Sequence, residues 1–182
     1  MSEDQAKYLE TFPGWLRSLG DDAEAIASVL EEEGASEDTR EAVTGGLNYL
    51  FKSLDLIPDG IDDIGYLDDA FVLRVAADLA SRDSGDIAAE KLAVLGRLTN
   101  ECETVRSFLG DNYERLESYV KGLRKGAARG RSVADILSDK EMLGELLSDV
   151  RGFSRSYESP SFAREEKNLI KLRAFFDAKL PK

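Results

Sequence analysis

The chain has 182 residues, enough for one domain or two small ones on a shared core, and its 42% apolar and 33% charged content describes a folded protein rather than a disordered one. Its formal charge of −12 is unevenly spread: residues 1–70 hold 18 acids against 4 bases, and residues 71–182 hold 18 against 20. That acidic front half argues against nucleic-acid binding, which needs Lys and Arg at the phosphates, and the absence of histidine removes Ser-His-Asp and Cys-His nucleophiles, the usual zinc ligand sets and His-based pH switching.

A chain of this length buries about 70% of its unfolded surface and needs no disulfide or metal merely to fold. The lone Cys102 allows no internal disulfide and suits a reducing cytoplasm; it lies on an apolar stripe with Leu98 and Val105, which makes it a buried structural residue. Met1, Ser2, Glu3 and Asp4 are acidic or polar and no apolar run follows, so no signal peptide is expected. The most apolar stretch, Ile64 to Ala80, is interrupted by Asp68, Asp69, Arg74 and Asp78, and no membrane span is expected.

Hydrophobic spacing is helical nearly throughout, which predicts an all-α bundle of seven or eight helices. A short first helix should end near Phe12, at Pro13-Gly14. Asp21 and Glu24 form a capping-box pattern for a second helix with Ala23, Ile26, Ala27 and Leu30 inward, ending at Gly34. A third helix, Ser36 to Leu54, carries Val43, Leu47, Leu50, Phe51 and Leu54 on one stripe, with Gly46 beside it to admit a close neighbour. Pro58 forbids continuation, Asp59-Gly60 reads as a turn, and a fourth helix is expected from Asp62 to Ser81. Asp83-Ser84-Gly85 reads as a boundary between an acidic subdomain, 1–84, and a C-terminal subdomain, 85–182, sharing one core. Four more helices are predicted near 86–108, 111–125, 133–156 and 160–180. Ser132 and Ser159-Pro160 are the start signals for the last two.

The region between the third and fourth helices holds six carboxylates in fifteen residues: Asp55, Asp59, Asp62, Asp63, Asp68 and Asp69. On a helical wheel, Ile64, Leu67, Phe71, Val75 and Leu79 form one face, and Asp68 falls inside it. A carboxylate in a core-facing stripe is costly unless its oxygens receive hydrogen bonds or a cation. Two readings follow. In the first, Asp68, with Asp69, accepts N–H groups of the Leu56–Gly60 turn and clasps the two helices together, while Asp59 or Asp62 caps the fourth helix. In the second, Asp55, Asp59, Asp68 and Asp69 converge on Mg²⁺ or Ca²⁺, hard cations that prefer oxygen. The spacing is not that of an EF-hand loop. No organic cofactor is implied.

Asp55-Leu56-Ile57-Pro58-Asp59 followed by Ile64-Gly65-Tyr66-Leu67-Asp68-Asp69 resembles the signature of the YkvA-like family, a bacterial domain of unknown function, whose pattern reads approximately S-P-I-D-L-I-P-D-F-I-P-V-L-G-Y-L-D-D. The resemblance covers Gly46 to Ala80 and none of residues 85–182. Lys52-Ser53 stands where the pattern has Ser-Pro, and Gly60, Asp62 and Asp63 replace Phe, Pro and Val. It implies a helical hairpin and carries no activity.

A second charged feature is the run Lys121, Arg124, Lys125, Arg129 and Arg131, interleaved with glycines. It is a candidate patch for phosphate, nucleic acid or an anionic membrane surface, or an intramolecular or homo-oligomeric contact with the acidic front half; no aromatic residues interleave to stack bases, which counts against nucleic acid. Missing catalytic vocabulary and many amphipathic helices favour a non-enzymatic interaction or scaffold module with a protein partner or a second copy of itself. Metal-dependent hydrolysis at the carboxylates is the alternative, with Lys52 or Arg74 offsetting charge, and a peripheral membrane module is the third reading.

Overall fold

The computed structural model describes residues 1–182. Eight α-helices follow in order: α1 Glu3–Ala27, α2 Glu37–Tyr49, α3 Leu67–Ser81, α4 Ala89–Leu109, α5 Asn112–Gly122, α6 Val133–Ser138, α7 Lys140–Ser156 and α8 Glu166–Lys179. The all-α expectation holds, with one addition, a two-residue ribbon of β1 Ala127–Ala128 against β2 Arg131–Ser132. No helix is long and apolar enough to cross a membrane.

The expected break at Pro13 does not occur. α1 begins in a capping box, in which Ser2 and Gln5 exchange side-chain and backbone bonds, and runs through Pro13 to Ala27. A proline inside a helix costs about 3 kcal/mol. Burial of Phe12, Trp15, Leu16, Leu19, Ala23 and Ile26 along the same helix outweighs it, since each large apolar side chain buried contributes about 1.5–3 kcal/mol. Asp21 and Glu24 are therefore interior helix residues rather than a cap, and a 3₁₀ turn, Ser28–Glu31, ends the segment.

α2 is shorter than expected, ending at Tyr49 instead of Leu54, and α3 starts at Leu67 instead of Asp62. The chain between them is irregular, so Asp62 and Asp63 are loop residues. Neither Asp59 nor Asp62 caps α3; its N-cap is Tyr66, in a left-handed conformation (φ 67°) with no side-chain cap bond. Leu54, expected on the inward stripe, is 84% exposed. Gly46 behaves as expected, because a Cβ there would lie 2.7 Å from the Cβ of Ala76, so α2 and α3 approach closely at this point.

α3 is the central helix, with all residues from Leu67 to Ala77 buried. One apolar cluster of 47 side chains draws from α1 through α8 and takes residues from both sides of Asp83-Ser84-Gly85. That segment is tied to the chain before α2, through Ser36 N–H to Ser84 O at 3.0 Å and Asp86 N–H to Gly34 O at 2.9 Å. Leu95, Leu98, Cys102 and Val105 on α4, Tyr113, Leu116 and Val120 on α5, and Leu169, Leu172 and Phe176 on α8 face inward as their spacing predicts. On α7, Leu146 and Val150 are buried, while Leu143 and Leu147 are only partly so. Ser132 caps α6 with a capping box, whereas Ser159-Pro160 precedes α8 by several residues of irregular chain.

Candidate functional site

Tyr49, the last residue of α2, is fully buried and its hydroxyl sits between two polar partners: it donates to Asp68 Oδ2 at 2.5 Å and accepts the Leu56 N–H at 2.7 Å. Asp68 Oδ2 also accepts the Ile57 N–H at 3.2 Å. Tyr49 and Asp68 thus hold two consecutive backbone N–H groups at the far side of the loop 50–57, next to the first turn of α3. The bond from Ile57 is the one expected of a clasp between Asp68 and the Leu56–Gly60 turn. The tyrosine that completes it was not foreseen, because no pattern along the chain pairs a helix-ending Tyr with an acid nineteen residues later.

Beyond the clasp, the loop from Pro58 to Tyr66 folds tightly on itself. Ile61 N–H donates to Pro58 O at 3.0 Å and Gly65 N–H to Ile61 O at 2.9 Å. Gly65 is required there, since a Cβ would fall 2.2 Å from the Asp59 carbonyl oxygen. Asp63 and Tyr66 both take positive φ, 71° and 67°, a costly conformation for side chains other than glycine. Asp63 Oδ1 accepts the Ala163 N–H at 3.0 Å and Asp62 O accepts from Lys171 at 3.2 Å, tying the loop to the chain before α8 and to α8 itself.

This fold brings three of the four candidate metal ligands together. One oxygen each from Asp59, Asp68 and Asp69 lies within 4.8 Å of the others, with Asp59 exposed at the rim and Asp68 and Asp69 buried. Asp55 stands beside the group and is not one of the three. Asp68 Oδ1, Asp69 Oδ2 and Asp55 Oδ1 are all buried without a hydrogen-bond partner. The electrostatics follow from that crowding. Burial, then the charges of Asp68 and Asp59, push the Asp55 carboxyl up to about 7, opposed only by Lys52. Burial raises Asp68 against the hydrogen bonds it accepts from Tyr49 and Ile57, while burial and the charges of Asp68, Asp59 and Asp55 raise Asp69 more strongly, so the pair tends to retain a proton. Tyr49 is pushed far above its ordinary range by burial and by the two aspartates, and stays a hydroxyl donor.

Neither residue expected to offset this charge does so for the three converging acids. Lys52 lies near Asp55 and reaches the Tyr119 hydroxyl at 3.5 Å. Arg74, one helical face away, is fully buried and holds Asp22 at 3.1 Å and Glu101 at 3.0 Å with its guanidinium 4.0 Å from the Trp15 ring. Arg97 completes that second network with Asp22 at 2.7 Å.

The basic run does not gather into one open patch. Lys121 pairs with Glu117 (2.9 Å), Arg124 with Glu41 (3.1 Å), Arg129 with Asp149 (3.3 Å) and Arg131, itself buried, with Asp149 (2.5 Å) and Glu145 (3.4 Å). Lys125 alone is exposed without an ion pair. Cys102 is buried, with Sγ 3.2 Å from the Tyr113 hydroxyl, and burial raises its thiol to about 11, which leaves it unreactive.

The clasp also shapes a surface. Exposed Leu54, in the loop whose far end Tyr49 and Asp68 hold, lines a groove of about 530 Å³ together with Phe51, Ala127, Ala128, Lys52 and Arg129. Arg129 lies over the Phe51 ring at 4.5 Å. No sequence signal separated Leu54 from the buried stripe, because α2 was expected to continue through it.

No curated protein and no solved structure matches the chain. Residues 40–74, from the second turn of α2 through the clasp to Arg74, match a family described as "Protein of unknown function (DUF1232)".

Proposed function

We propose that this chain is a non-enzymatic, cytoplasmic helical interaction module whose contact point is the Leu54 loop. The observation that carries this reading is an 84%-exposed leucine on a loop fixed by buried hydrogen bonds to Tyr49 and Asp68. Single exposed apolar residues are ordinary on protein surfaces. A rigidly presented one in the wall of a groove is better suited to docking, because less ordering entropy is lost on contact. The resemblance of the hairpin to the YkvA-like signature makes this loop the family-like part of the chain.

The charge pattern points to the partner. Lys52 carries no ion pair and borders the groove with Arg129, while residues 1–70 hold 18 acids against 4 bases, including the exposed Glu31 and Glu33. An acidic face of a second copy meets Lys52, the unpaired base of the groove, and an apolar side chain fills it. A peripheral membrane role is the weaker reading, since four of the five bases it would use already have acidic partners within the chain.

Light scattering after size exclusion, across a concentration series, tests the proposal. Wild-type protein should form dimers that weaken as salt rises, because the charges are exposed, and Leu54→Asp should remain monomeric with an unchanged circular dichroism spectrum. A wild-type chain that stays monomeric into the millimolar range, or a Leu54→Asp variant that dimerises like wild type, overturns it.

A further inference from the structure

We infer that Asp59, Asp68 and Asp69 form a binding site for a hard divalent cation, Ca²⁺ or Mg²⁺, at the junction of the Pro58–Tyr66 loop and the first turn of α3. This goes beyond the docking role and stands independently of it. The three carboxylates each present an oxygen within 4.8 Å of the others. Proximity of acids alone would not make a site. The second observation is that two of them are buried with an oxygen left over: Asp68 is 0% and Asp69 2% exposed, and Asp68 Oδ1 and Asp69 Oδ2 have no hydrogen-bond donor.

The division of labour within Asp68 is informative. Its Oδ2 takes both donors, the Tyr49 hydroxyl and the Ile57 N–H, while Oδ1 takes none. A carboxylate fixed through one oxygen and free at the other is oriented as metal ligands are by the groups behind them. An orphaned buried acceptor is destabilising, more so when charged, and two of them sit side by side at the start of α3. Three carboxylates at this spacing also repel one another in a weakly polarisable setting, with every buried guanidinium nearby already paired to Asp22 and Glu101. A cation answers both deficits.

The geometry suits oxygen-loving ions. Metal–oxygen distances of about 2.3–2.6 Å place opposite Ca²⁺ ligands about 4.6–5.2 Å apart, and the shorter Mg²⁺ bonds, about 2.0–2.1 Å, place them about 4.0–4.2 Å apart. The exposed position of Asp59 gives the ion a route from solvent and leaves room for waters to complete its shell. Gly65 and the positive φ of Asp63 and Tyr66 are the local conditions that turn Asp59 back over α3.

Isothermal titration of the full chain, stripped with chelator, with CaCl₂ and separately with MgCl₂ tests the site, and the two arms identify the preferred ion. Terbium luminescence excited through tyrosine adds a positional readout, because Tyr49 touches Asp68. One saturable event near one ion per chain is expected. Asp59→Asn, at an exposed position that leaves the clasp intact, should weaken it about tenfold or more, while Glu31→Gln leaves it unchanged. Asp68→Asn should abolish tyrosine-sensitised terbium emission. Absence of heat with both cations into the millimolar range, or Asp59→Asn binding as tightly as wild type, overturns the assignment; in that event a proton shared by Asp68 and Asp69 satisfies the cluster.

Discussion

Two groups of acids, each with buried members, sit against the same helix, and the fold treats them in opposite ways. On one side of α3, Asp22 and Glu101 meet Arg74 and Arg97 in a network with every charge answered and the Arg74 guanidinium stacked on Trp15. At its N-terminal end, Asp59, Asp68 and Asp69 crowd together with no basic side chain bonded to any of them and with buried oxygens unpartnered. The first is a structural solution to burying charge. The second leaves a deficit of positive charge, the feature on which the proposed cation site rests.

The comparison breaks most visibly at Arg74. Arg74→Ala removes the buried cation of Asp22, leaving it the half-exposed Arg97 alone, and opens a cavity against Trp15; removal of one partner from a buried pair costs about 3–5 kcal/mol. Denaturant unfolding should show that loss in full, with or without divalent cations.

Asp69→Asn sharpens the contrast, because its effect should have the opposite sign. In metal-free protein at pH 8 the amide replaces a carboxyl that burial and Asp68 hold away from its preferred ionised state, and the variant should melt above wild type, by about 2–4 °C for each kcal/mol gained. The pH dependence carries the same signature. Asp55 rises in the folded state from its ordinary 3.8 to about 7, and Asp68 and Asp69 rise with it. The folded chain therefore holds more protons than the unfolded chain between these values. The contribution of Asp55 and Asp68 is complete below about pH 4 and is lost as pH climbs through about 6 and about 7. Thermal melts of metal-free protein should show a shallower decline over that window in Asp69→Asn. A variant that melts below wild type at pH 8 would place Asp69 with the compensated acids.

The smallest effect is expected at the surface. Arg124→Ala breaks a half-exposed pair with Glu41 and should change unfolding free energy by about 0–1 kcal/mol, a difference that shrinks in high salt.

Much of this was legible in the chain. Asp68 on the Ile64–Leu67–Phe71–Val75 face could be flagged as anomalous from spacing alone, and it is buried and hydrogen-bonded to the turn as a clasp requires. Gly46 on α2 marked a close helix approach for the same reason, since periodicity fixes which residues share a face. Boundaries were harder. Pro13 is a strong local breaker, yet α1 passes through it because its buried face outweighs one lost bond. Leu54 fits the α2 stripe by spacing, yet lies outside because the chain leaves the helix at Tyr49 to make the Tyr49–Leu56 and Asp68–Ile57 bonds.

Sequence alone thus determined the helical class, the acidic imbalance of the front half, the absence of histidine chemistry and the place where carboxylates concentrate. Each depends on composition or on neighbours a few residues apart. Which acids find a cation and which do not was decided only by tertiary structure. Arg74 lies five residues from Asp69 on one helix, yet their different azimuths send its guanidinium to Asp22, 52 residues earlier, and leave Asp69 facing Asp59 across a loop. Partners so far apart along the chain meet only when packing sets the angle of one helix on another.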